Sequence, residues 1–258
     1  MQDLKITLVQ SELDWEDKAA NFRRFDQWLT PLKGQSDLVI LPEMFTTGFS
    51  MNAAALAELP NGPTISWMAE KAQQTGAVIT GSYIAKEKDH YYNRLIWMQP
   101  DGKFESYDKR HLFTLSGEEQ HYRPGQQRLI VQLKGWKICP LICYDLRFPV
   151  WSRNTNHYDL LLYVANWPGV RRHAWKSLLT ARAIENQTYT IGLNRVGQDA
   201  NGLEYAGDST VINYAGDVLV QLAEHEGVYT AHLSYSKQQT FRKKLAFLAD
   251  QDKFDIAP

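Results

Sequence analysis

Three residues of different chemistry, Glu43, Lys109 and Cys143, each follow a segment that is predicted to be a β-strand. A thiol can attack a carbonyl carbon if a base removes its proton. A carboxylate can act as that base, and an ammonium group or a backbone N–H can hold the oxyanion that forms. The three residues therefore match the needs of amide hydrolysis by a cysteine nucleophile, without a metal ion.

Each of these residues also has an ordinary structural explanation. Free cysteine is among the most buried residue types, so Cys143 could be a small core residue. Glu43 could mark the point where a strand reaches solvent, and Lys109 beside Arg110 could be a solvated pair. In open α/β sheets, however, the groups at the carboxyl ends of strands face the ligand crevice. That tendency favours a shared catalytic role.

Cys143 closes the apolar first half of the segment 136–151, which is typical of a buried strand. Polar residues follow, and Pro149 suits the first turn of a helix. A cysteine on such a turn exposes its sulfur beside the next backbone amide, the N–H of Tyr144. Pro140 is compatible with this strand only at an edge or a bulge.

The elements that must position these residues alternate between strands and helices, which indicates one α/β domain over residues 1–258. The number of strands favours two sheets face to face, covered by helices. A possible cap for the first helix is Asp14, and a polar loop is expected at 117–125. Strands are predicted at 5–10, 37–43, 77–84, 91–98, 104–109, 128–133, 137–142, 158–166, 188–196, 209–213, 218–222 and 228–233, helices at 15–32, 64–75 and 174–186, and a tail at 236–248.

Composition is ordinary for a soluble globular protein, with 44% hydrophobic and 22% charged residues among 258. The formal net charge of -1 gives no reason to expect a nucleic-acid or membrane partner. Cys139 and Cys143 would lie roughly 13 Å apart in a regular strand, too far for a disulfide. Two free thiols, no signal-peptide pattern and no long apolar run predict a cytoplasmic protein.

No motif indicates a metal or a cofactor. The seven histidines lack the H-E-x-x-H spacing of zinc hydrolases. The G-x-S-x-G, G-x-G-x-x-G and P-loop patterns are also missing from the sequence. His111, next to the Lys109 motif, is expected to support the site indirectly. We therefore expect catalysis by side chains alone, with no cofactor.

The chain resembles the nitrilase, or carbon–nitrogen hydrolase, superfamily over nearly its whole length. That resemblance implies a four-layer αββα sandwich and an αββα–αββα homodimer, with 236–258 as a C-terminal tail expected to reach the partner. The segments that carry the resemblance are 41–43, 107–113, 143–149, 166–168, 181–186 and 207–209.

Within the superfamily, segments 41–49 and 166–169 look most like bacterial omega-amidases, which hydrolyse the terminal amide of 2-oxoglutaramate and 2-oxosuccinamate. The resemblance implies that Cys143 is the nucleophile of a thioester pathway, Glu43 its acid and base, and Lys109 with the Tyr144 N–H the oxyanion donors. A second glutamate should orient Lys109. Glu118, six residues before Pro124, fits that position, and its neighbour Glu119 is the alternative.

The small acidic amide that is expected as substrate needs a cation for its carboxylate, and three arginines are candidates. Arg171 and Arg172 are favoured because they follow the segment 166–169, whereas Arg147 is expected to hold a helix or the dimer face. Phe45 and Trp167 could wall the pocket or be ordinary core residues. A nitrilase, a carbamoylase and a non-catalytic ligand-binding protein of the same fold remain alternatives, and methionine salvage is one expected setting for an omega-amidase.

Overall fold

Two six-stranded β-sheets lie at the centre of the computed structural model, which describes residues 2–256. The strands are β1 (Leu4–Gln10), β2 (Leu38–Ile40), β3 (Val78–Glu87), β4 (His90–Met98), β5 (Phe104–Asp108), β6 (Val131–Leu133), β7 (Trp136–Ile142), β8 (Leu160–Ala165), β9 (Tyr189–Asn194), β10 (Val196–Gln198), β11 (Glu204–Ala206), β12 (Thr210–Ile212), β13 (Val218–Gln221) and β14 (Gly227–Leu233). The first sheet has the order β14-β1-β2-β3-β4-β5 and the second β13-β12-β9-β8-β7-β6, while β10 and β11 form a separate hairpin.

The helices are α1 (Lys18–Leu29), α2 (Ala53–Leu56), α3 (Pro63–Thr75), α4 (Glu118–His121), α5 (Pro149–Ser152), α6 (Arg172–Asn186) and α7 (Tyr235–Lys244). α1 and α3 cover the outer face of the first sheet, and α6 covers the outer face of the second. Single 3-10 turns occur at Thr30–Leu32, Thr114–Ser116, Cys143–Arg147, Gly169–Arg171 and Phe247–Asp250.

Apolar side chains fill three successive layers of core. Between the sheets, Ile6 of β1 belongs to the same buried cluster as Ile138 of β7, and on the far side of the second sheet Leu141 lies on the face that helix α6 covers. On the far side of the first sheet, Val39 packs in a cluster with Phe25 of α1 and Met68 of α3. Because strands in such a sandwich are covered on both faces, they read as continuous apolar runs, and every residue of β8 is buried.

Helix α6 lies unusually close to the second sheet. A Cβ atom built on Gly192 of β9 would lie 2.4 Å from the Leu179 side chain and 2.6 Å from Trp175. Only glycine therefore permits this approach of helix and strand. The two sheets with their flanking helices confirm the predicted αββα sandwich.

The topology brings the chemically active residues to one edge of the sandwich. β2 runs parallel to β3. β4 is antiparallel to β3 and β5 is antiparallel to β4, so β5 runs in the same direction as β2 and β3. In the second sheet, β7, β8 and β9 are parallel neighbours. Glu43 follows β2, Lys109 follows β5 and Cys143 follows β7, so all three come from carboxyl ends of strands.

The first helix begins later than predicted. Glu16 has φ 56°, a left-handed conformation that cannot continue a right-handed helix. α1 therefore starts at Lys18, and the Asp17 side chain accepts a hydrogen bond from the Ala20 backbone N–H at 2.9 Å as its cap. The prediction that Asp14 caps this helix is wrong, since Asp14 instead pairs with Arg24.

One other local prediction needs correction. The polar loop 117–125 contains the short helix α4, which turns Glu118 inward. Pro140 lies within β7, next to β8, where it pairs with Leu162. β6 pairs with β7 only as far as Val131 opposite Ile138, so β7 is a local edge at Pro140, as the sequence requires.

The segment predicted as a tail at 236–248 begins as helix α7 docked on the second sheet. Arg242 Nη1 lies 2.8 Å from Asp159 Oδ1, and Gln238 Nε2 donates to the Asp159 carbonyl at 2.7 Å. A reach of residues 236–258 to a partner stays a prediction, and residues 257–258 lie outside the described part. Among residues 2–256, no helix is long and apolar enough to cross a bilayer.

Candidate active site

A buried ammonium group lies between two buried carboxylates at the carboxyl edge of the sheets. Lys109 Nζ is 2.9 Å from Glu43 Oε1 and 2.9 Å and 3.0 Å from the two carboxylate oxygens of Glu118. All three residues are at most 1% exposed. The backbone N–H of Phe113 also donates to Glu118, at 2.5 Å, and so fixes that carboxylate from the loop side. An ion triad this buried persists only because every member has partners.

The Glu43 carboxylate is held from two further sides. Asn93 Nδ2 of β4 donates to Oε1 at 2.8 Å, and the backbone N–H of Asn166 donates to Oε2 at 2.7 Å. The Asn166 side chain also donates to the Glu43 backbone carbonyl at 2.7 Å. Glu43 thus belongs to one fixed network with Lys109, which suits a group that must exchange a proton at a defined position.

Cys143 occupies a strained turn directly after β7. Its φ of 41° is left-handed, a conformation that side-chain-bearing residues adopt rarely and that clusters at functional sites. The residue is 9% exposed, and the Glu43 carboxylate is close enough to influence its thiol electrostatically. The turn therefore presents the sulfur to a carboxylate and to a cavity at the same time.

Burial and local charge keep the thiol protonated. Burial raises the pKa of Cys143 well above its ordinary value, and the Glu43 charge raises it further, while Lys109 opposes the shift only partly. Burial alone would lower the pKa of Lys109, but Glu118 and Glu43 outweigh it, so the pKa is raised and the amine stays charged. A thiol with a raised pKa needs a base during attack, and Glu43 is in contact with it.

Asp145 joins the turn of Cys143 to the strand that precedes Lys109. One of its carboxylate oxygens accepts from the Ile142 N–H at 3.0 Å and from Tyr107 Oη at 2.7 Å. The other accepts from the His111 N–H at 3.0 Å and lies 2.8 Å from His111 Nδ1. These bonds tie the turn of Cys143 to the segment around Lys109, and His111 takes part in them.

The thiol opens into a cavity of about 460 Å³. That volume is within the range of small-molecule binding pockets. Aromatic and polar side chains from several loops line it, including Trp15, Glu16, Phe49, Lys109, Phe113, Cys143, Tyr144, Arg147, Asn166, Trp167, Arg171, Leu203 and Tyr205.

The structure brings together Glu43, Lys109, Cys143 and Glu118 as the sequence predicts. The choice between the two adjacent glutamates is clear from their positions. Glu118 is fully buried against Lys109, whereas Glu119 is exposed on the other side of α4. Tyr144, whose N–H is the predicted oxyanion donor, lines the same cavity.

The arginines are distributed differently from the prediction. Arg171 lines the cavity with its guanidinium carbon 5.1 Å from the Phe113 ring centre, and Arg147 also lines it, 4.9 Å from the Trp167 ring centre. Arg172 instead binds Asp208 through two hydrogen bonds of 2.9 Å and 3.0 Å. A substrate role for Arg172 therefore requires breaking a bidentate ion pair.

Of the two aromatic residues considered for the pocket, one lines the cavity and the other lies in the core. Trp167 lines the cavity and is held by the side chain of Asn194, which accepts from its backbone N–H at 2.7 Å. Phe45 is fully buried in the core beside α1 and α3, with ring centres 5.5 Å from Phe25 and 5.6 Å from Trp67. The prediction that Phe45 walls the pocket is corrected because its side chain points to the helix side of the first sheet.

Sequence reasoning assigned no role to Asn93, Asp145 or the side chain of Asn166. A signal was present, since each is a polar residue in or directly after an apolar strand and each is at most 5% exposed. Buried polar groups require hydrogen-bond partners, so such positions indicate networks even when their partners are unknown. Among residues 2–256, no cluster of three or more His, Cys, Asp or Glu side chains could hold a metal ion.

Comparison with known proteins gives consistent matches. The family model described as carbon-nitrogen hydrolase matches residues 5–243. A protein named omega-amidase YafV from Escherichia coli (strain K12) is 49% identical over 257 residues, which cover 99% of this chain and 100% of its own length. A 2-oxoglutaramate amidase from Bacillus subtilis (strain 168) is 30% identical over 250 residues, with 95% and 96% covered.

Solved structures agree with the fold. The CN-hydrolase superfamily protein XC1258 from Xanthomonas campestris has a TM-score of 0.98 at 46% identity, and the match covers 100% of both chains. That crystal structure contains an arsenic adduct in its active site. Nit3 of Saccharomyces cerevisiae, a member of the nitrilase superfamily, has a TM-score of 0.86 at 25% identity over 95% of this chain and 94% of its own.

Proposed function

The chain belongs to the carbon–nitrogen hydrolase family and is a hydrolase of amide C–N bonds, and we propose that it is an omega-amidase for 2-oxoglutaramate or 2-oxosuccinamate. This agrees with the family resemblance of the sequence. One observation carries the proposal: a single cavity joins the Cys143 thiol to the guanidinium groups of Arg147 and Arg171. An omega-amide of a keto acid has an amide at one end and a carboxylate at the other.

Attack on the amide begins with proton transfer from Cys143 to Glu43, the carboxylate whose charge acts on the thiol. The sulfur adds to the amide carbon, and its carbonyl oxygen becomes an oxyanion. Lys109 has three N–H groups and three carboxylate oxygens within 3.0 Å, so one N–H turns from a Glu118 oxygen to the oxyanion while the other Glu118 oxygen keeps its bond. The backbone N–H of Tyr144 supplies the second donor.

Collapse of the tetrahedral intermediate breaks the C–N bond. Glu43 returns the proton to the departing nitrogen, ammonia leaves and a thioester on Cys143 remains. Glu43 then takes a proton from water as the water attacks the thioester, and the thiol recovers its proton. Glu118 acts by holding Lys109, to which both of its oxygens are bonded.

The carboxylate of the substrate is bound by Arg147 and Arg171. Guanidinium groups bind carboxylates through paired hydrogen bonds, and stacking on Trp167 and Phe113 orients their planes. Among residues 2–256, neither guanidinium lies within 4.0 Å of an Asp or Glu carboxylate. Both positive charges are thus available to an anionic ligand.

The test is ammonia release from 2-oxoglutaramate, compared with glutamine, asparagine, a simple nitrile and a carbamoyl compound. Omega-amidase function predicts turnover of the keto-acid amide at a kcat/KM well above that of the other compounds. Faster turnover of the nitrile or of the carbamoyl compound would assign the chain to a nitrilase or a carbamoylase. Binding of the whole panel without turnover would favour a non-catalytic ligand-binding protein.

A homodimer is part of the proposal and is supported by an apolar surface on the second sheet's helices. Val150 of α5 is 54% exposed, Ile184 of α6 53% and Phe247 61%. Val150 and Phe247 line one shared surface groove. Light scattering of the wild type and of Val150→Asp tests it, since a dimer on this surface should dissociate in the variant. The methionine-salvage setting and the cytoplasmic location stay predictions.

A further inference from the structure

The cavity is larger than a small keto-acid amide requires. Besides the two arginines, a second group of residues lines it, which we call the outer wall: Trp15, Glu16, Phe49, Leu203 and Tyr205. At about 460 Å³ the cavity falls in the range that holds drug-sized ligands. A substrate confined to the thiol and the arginines would leave the outer wall without a role.

Glu16 gives the outer wall a negative charge without a counter-ion. Its carboxylate accepts hydrogen bonds from Ser50 Oγ at 2.5 Å and, more weakly, from Asn52 Nδ2 at 3.4 Å, and both donors are neutral. Within the described chain, 2–256, no Lys, Arg or His nitrogen lies within 4.0 Å of it. Its left-handed φ of 56° adds backbone strain at the same position.

The rings of the outer wall suit a cationic ligand. Cations are attracted to the faces of aromatic rings, most strongly when water is excluded. Two of these rings already contact cations in this fold, since Lys109 Nζ lies 5.0 Å from the Phe49 ring centre and the Arg195 guanidinium carbon 4.6 Å from that of Tyr205. Trp15 and Glu16 are adjacent in the chain and both half-buried, so a ring and a carboxylate border the cavity together.

The outer wall is attached to the loop that Glu43 begins. The Glu16 backbone N–H donates to the Thr47 carbonyl at 2.8 Å, and Ser50, which holds the Glu16 carboxylate, is on the same loop. The arginines come from different segments, after Cys143 and after β8. Because Glu43 protonates the departing nitrogen, the amine side of the scissile bond should face the loop of Glu43.

We propose that the outer wall binds the leaving amine of amides whose nitrogen carries a short alkyl chain ending in an ammonium group. This substrate class rests on the proposed amidase function and extends it from ammonia to alkyl diamines as leaving groups. The reaction needs water alone: the C–N bond breaks as the thioester forms, Glu43 gives the amine its proton, and water then releases the acid from Cys143.

Matched amides of glutaric acid test the proposal on the unaltered protein. N-aminoethyl, N-aminopropyl and N-aminobutyl glutaramate are compared with N-propyl, N-butyl and N-pentyl glutaramate, which have the same lengths without the charge. The series of lengths covers different spans between Cys143 and Glu16. We expect kcat/KM to be roughly fivefold or more higher for the charged member of at least one pair.

Glu16→Gln assigns the effect to one side chain, because glutamine keeps an acceptor for Ser50 and removes the charge. Glu105→Gln on the exposed face of β5 makes the same change outside the cavity. The preference for the charged amine should fall to near onefold in Glu16→Gln and persist in Glu105→Gln.

The outcomes separate this inference from the proposed function. If unsubstituted glutaramate and 2-oxoglutaramate are not hydrolysed, the amidase proposal itself fails. If they are hydrolysed but no charged amide is preferred, or if the preference survives in Glu16→Gln, the outer wall does not bind an ammonium group. Retained preference in Glu105→Gln with loss in Glu16→Gln supports it.

Discussion

The floor of the cavity, which is the buried group around Lys109 and Cys143, and the outer wall differ in burial and in how many partners hold their side chains. At the floor, Glu43, Lys109 and Glu118 are at most 1% exposed and bond to one another and to the backbone. At the outer wall, Trp15 and Glu16 come from an irregular segment, are half-buried and have few partners. The contrast teaches that the chemistry is fixed by an over-determined network, whereas substrate choice is left to loops that can vary at small cost in stability.

The strongest test of the floor is removal of its nucleophile. Cys143→Ala should lower turnover by at least about 10³-fold, because no other group on the floor can form the thioester. Ammonia release measures the loss, and mass spectrometry of a quenched wild-type reaction should find the acyl adduct on Cys143.

The matched control for that variant is Cys139→Ala, four residues earlier in β7. Cys139 is also fully buried, and burial raises the pKa of its thiol to about 12. It lies on the face of the second sheet that α6 covers, the face of Tyr163 and Gly192, and it does not line the cavity, so turnover should stay close to wild type. An acyl adduct on Cys139 would move the active site to that face of the sheet.

Glu43→Gln separates the base from the nucleophile and should lower kcat about 10²- to 10⁴-fold. The same change should lower the pKa of Cys143. The negative charge of Glu43 disfavours the thiolate and so raises that pKa. Without it, the positive charge of Lys109, which lowers the pKa, is less opposed. Ultraviolet absorbance of the thiolate, followed against pH in a Cys139→Ala background, measures the shift.

More thiolate with less turnover would show that Glu43 is needed as a proton carrier, not as a source of thiolate. An unchanged kcat in Glu43→Gln would contradict the mechanism, and so would a rise in the thiol pKa. Asn93→Asp, in contrast, places another carboxyl beside Glu43 and should shift the thiol pKa in the opposite direction, upward.

The floor was more predictable from the sequence than the wall, and the reason is physical. Glu43, Lys109 and Cys143 each follow a strand, and parallel strands deliver their carboxyl ends to one edge, so the pattern of strands already implies that they converge. The central strands and the helices α3 and α6 agree with the prediction because apolar periodicity is a local signal. The inward direction of Glu118 depends on the short helix after Gly117, which the sequence of this loop did not indicate.

The substrate-binding residues around the floor could not be predicted, because their contacts join segments that are far apart in the chain. Arg171 and Arg172 look equivalent in sequence, and only the position of Asp208 beside Arg172 decides which guanidinium is already neutralised. Phe45, two residues from Glu43, fits a pocket wall or the core equally well in sequence, and only its packing on Phe25 and Trp67 places it in the core. Long-range partners of this kind leave no mark in local spacing.

Variants of the two cavity arginines sharpen the contrast between floor and wall. Arg147→Met and Arg171→Met should each raise KM for 2-oxoglutaramate about tenfold while changing kcat little, because they remove a bond to the substrate carboxylate and leave the floor intact. Steady-state kinetics with the keto-acid amide, and with a neutral amide of the same length, measures the effect.

The neutral amide should show no such loss in either variant, since it has no carboxylate to bind. Arg172→Met provides the comparison at the neighbouring position, where the guanidinium binds Asp208 outside the cavity. That variant should lower thermal stability and leave KM near wild type. Equal KM values in wild type, Arg147→Met and Arg171→Met would show that these two arginines do not bind the substrate carboxylate.

The smallest expected effect concerns product binding. Hydrolysis creates a new carboxylate at a floor where Glu43 and Glu118 face one ammonium group, so the floor repels the product more than the neutral amide. Burial raises the pKa of Glu118 above its ordinary value, with Lys109 opposing only part of the shift. As pH falls below neutral, Glu118 gains a proton before a solvated carboxylate does, the repulsion weakens and a dicarboxylate should bind about threefold more tightly.

Calorimetric titration of glutarate into Cys143→Ala, with and without Glu118→Gln, isolates this effect from catalysis. Glu118→Gln removes the charge at every pH, so it should tighten binding at neutral pH and abolish the further gain on acidification. Glutarate affinity that is independent of pH in the parent variant would mean that the floor does not discriminate amide from acid by charge. Discrimination would then have to come from the shape of the outer wall, which reverses the division of roles between the two regions.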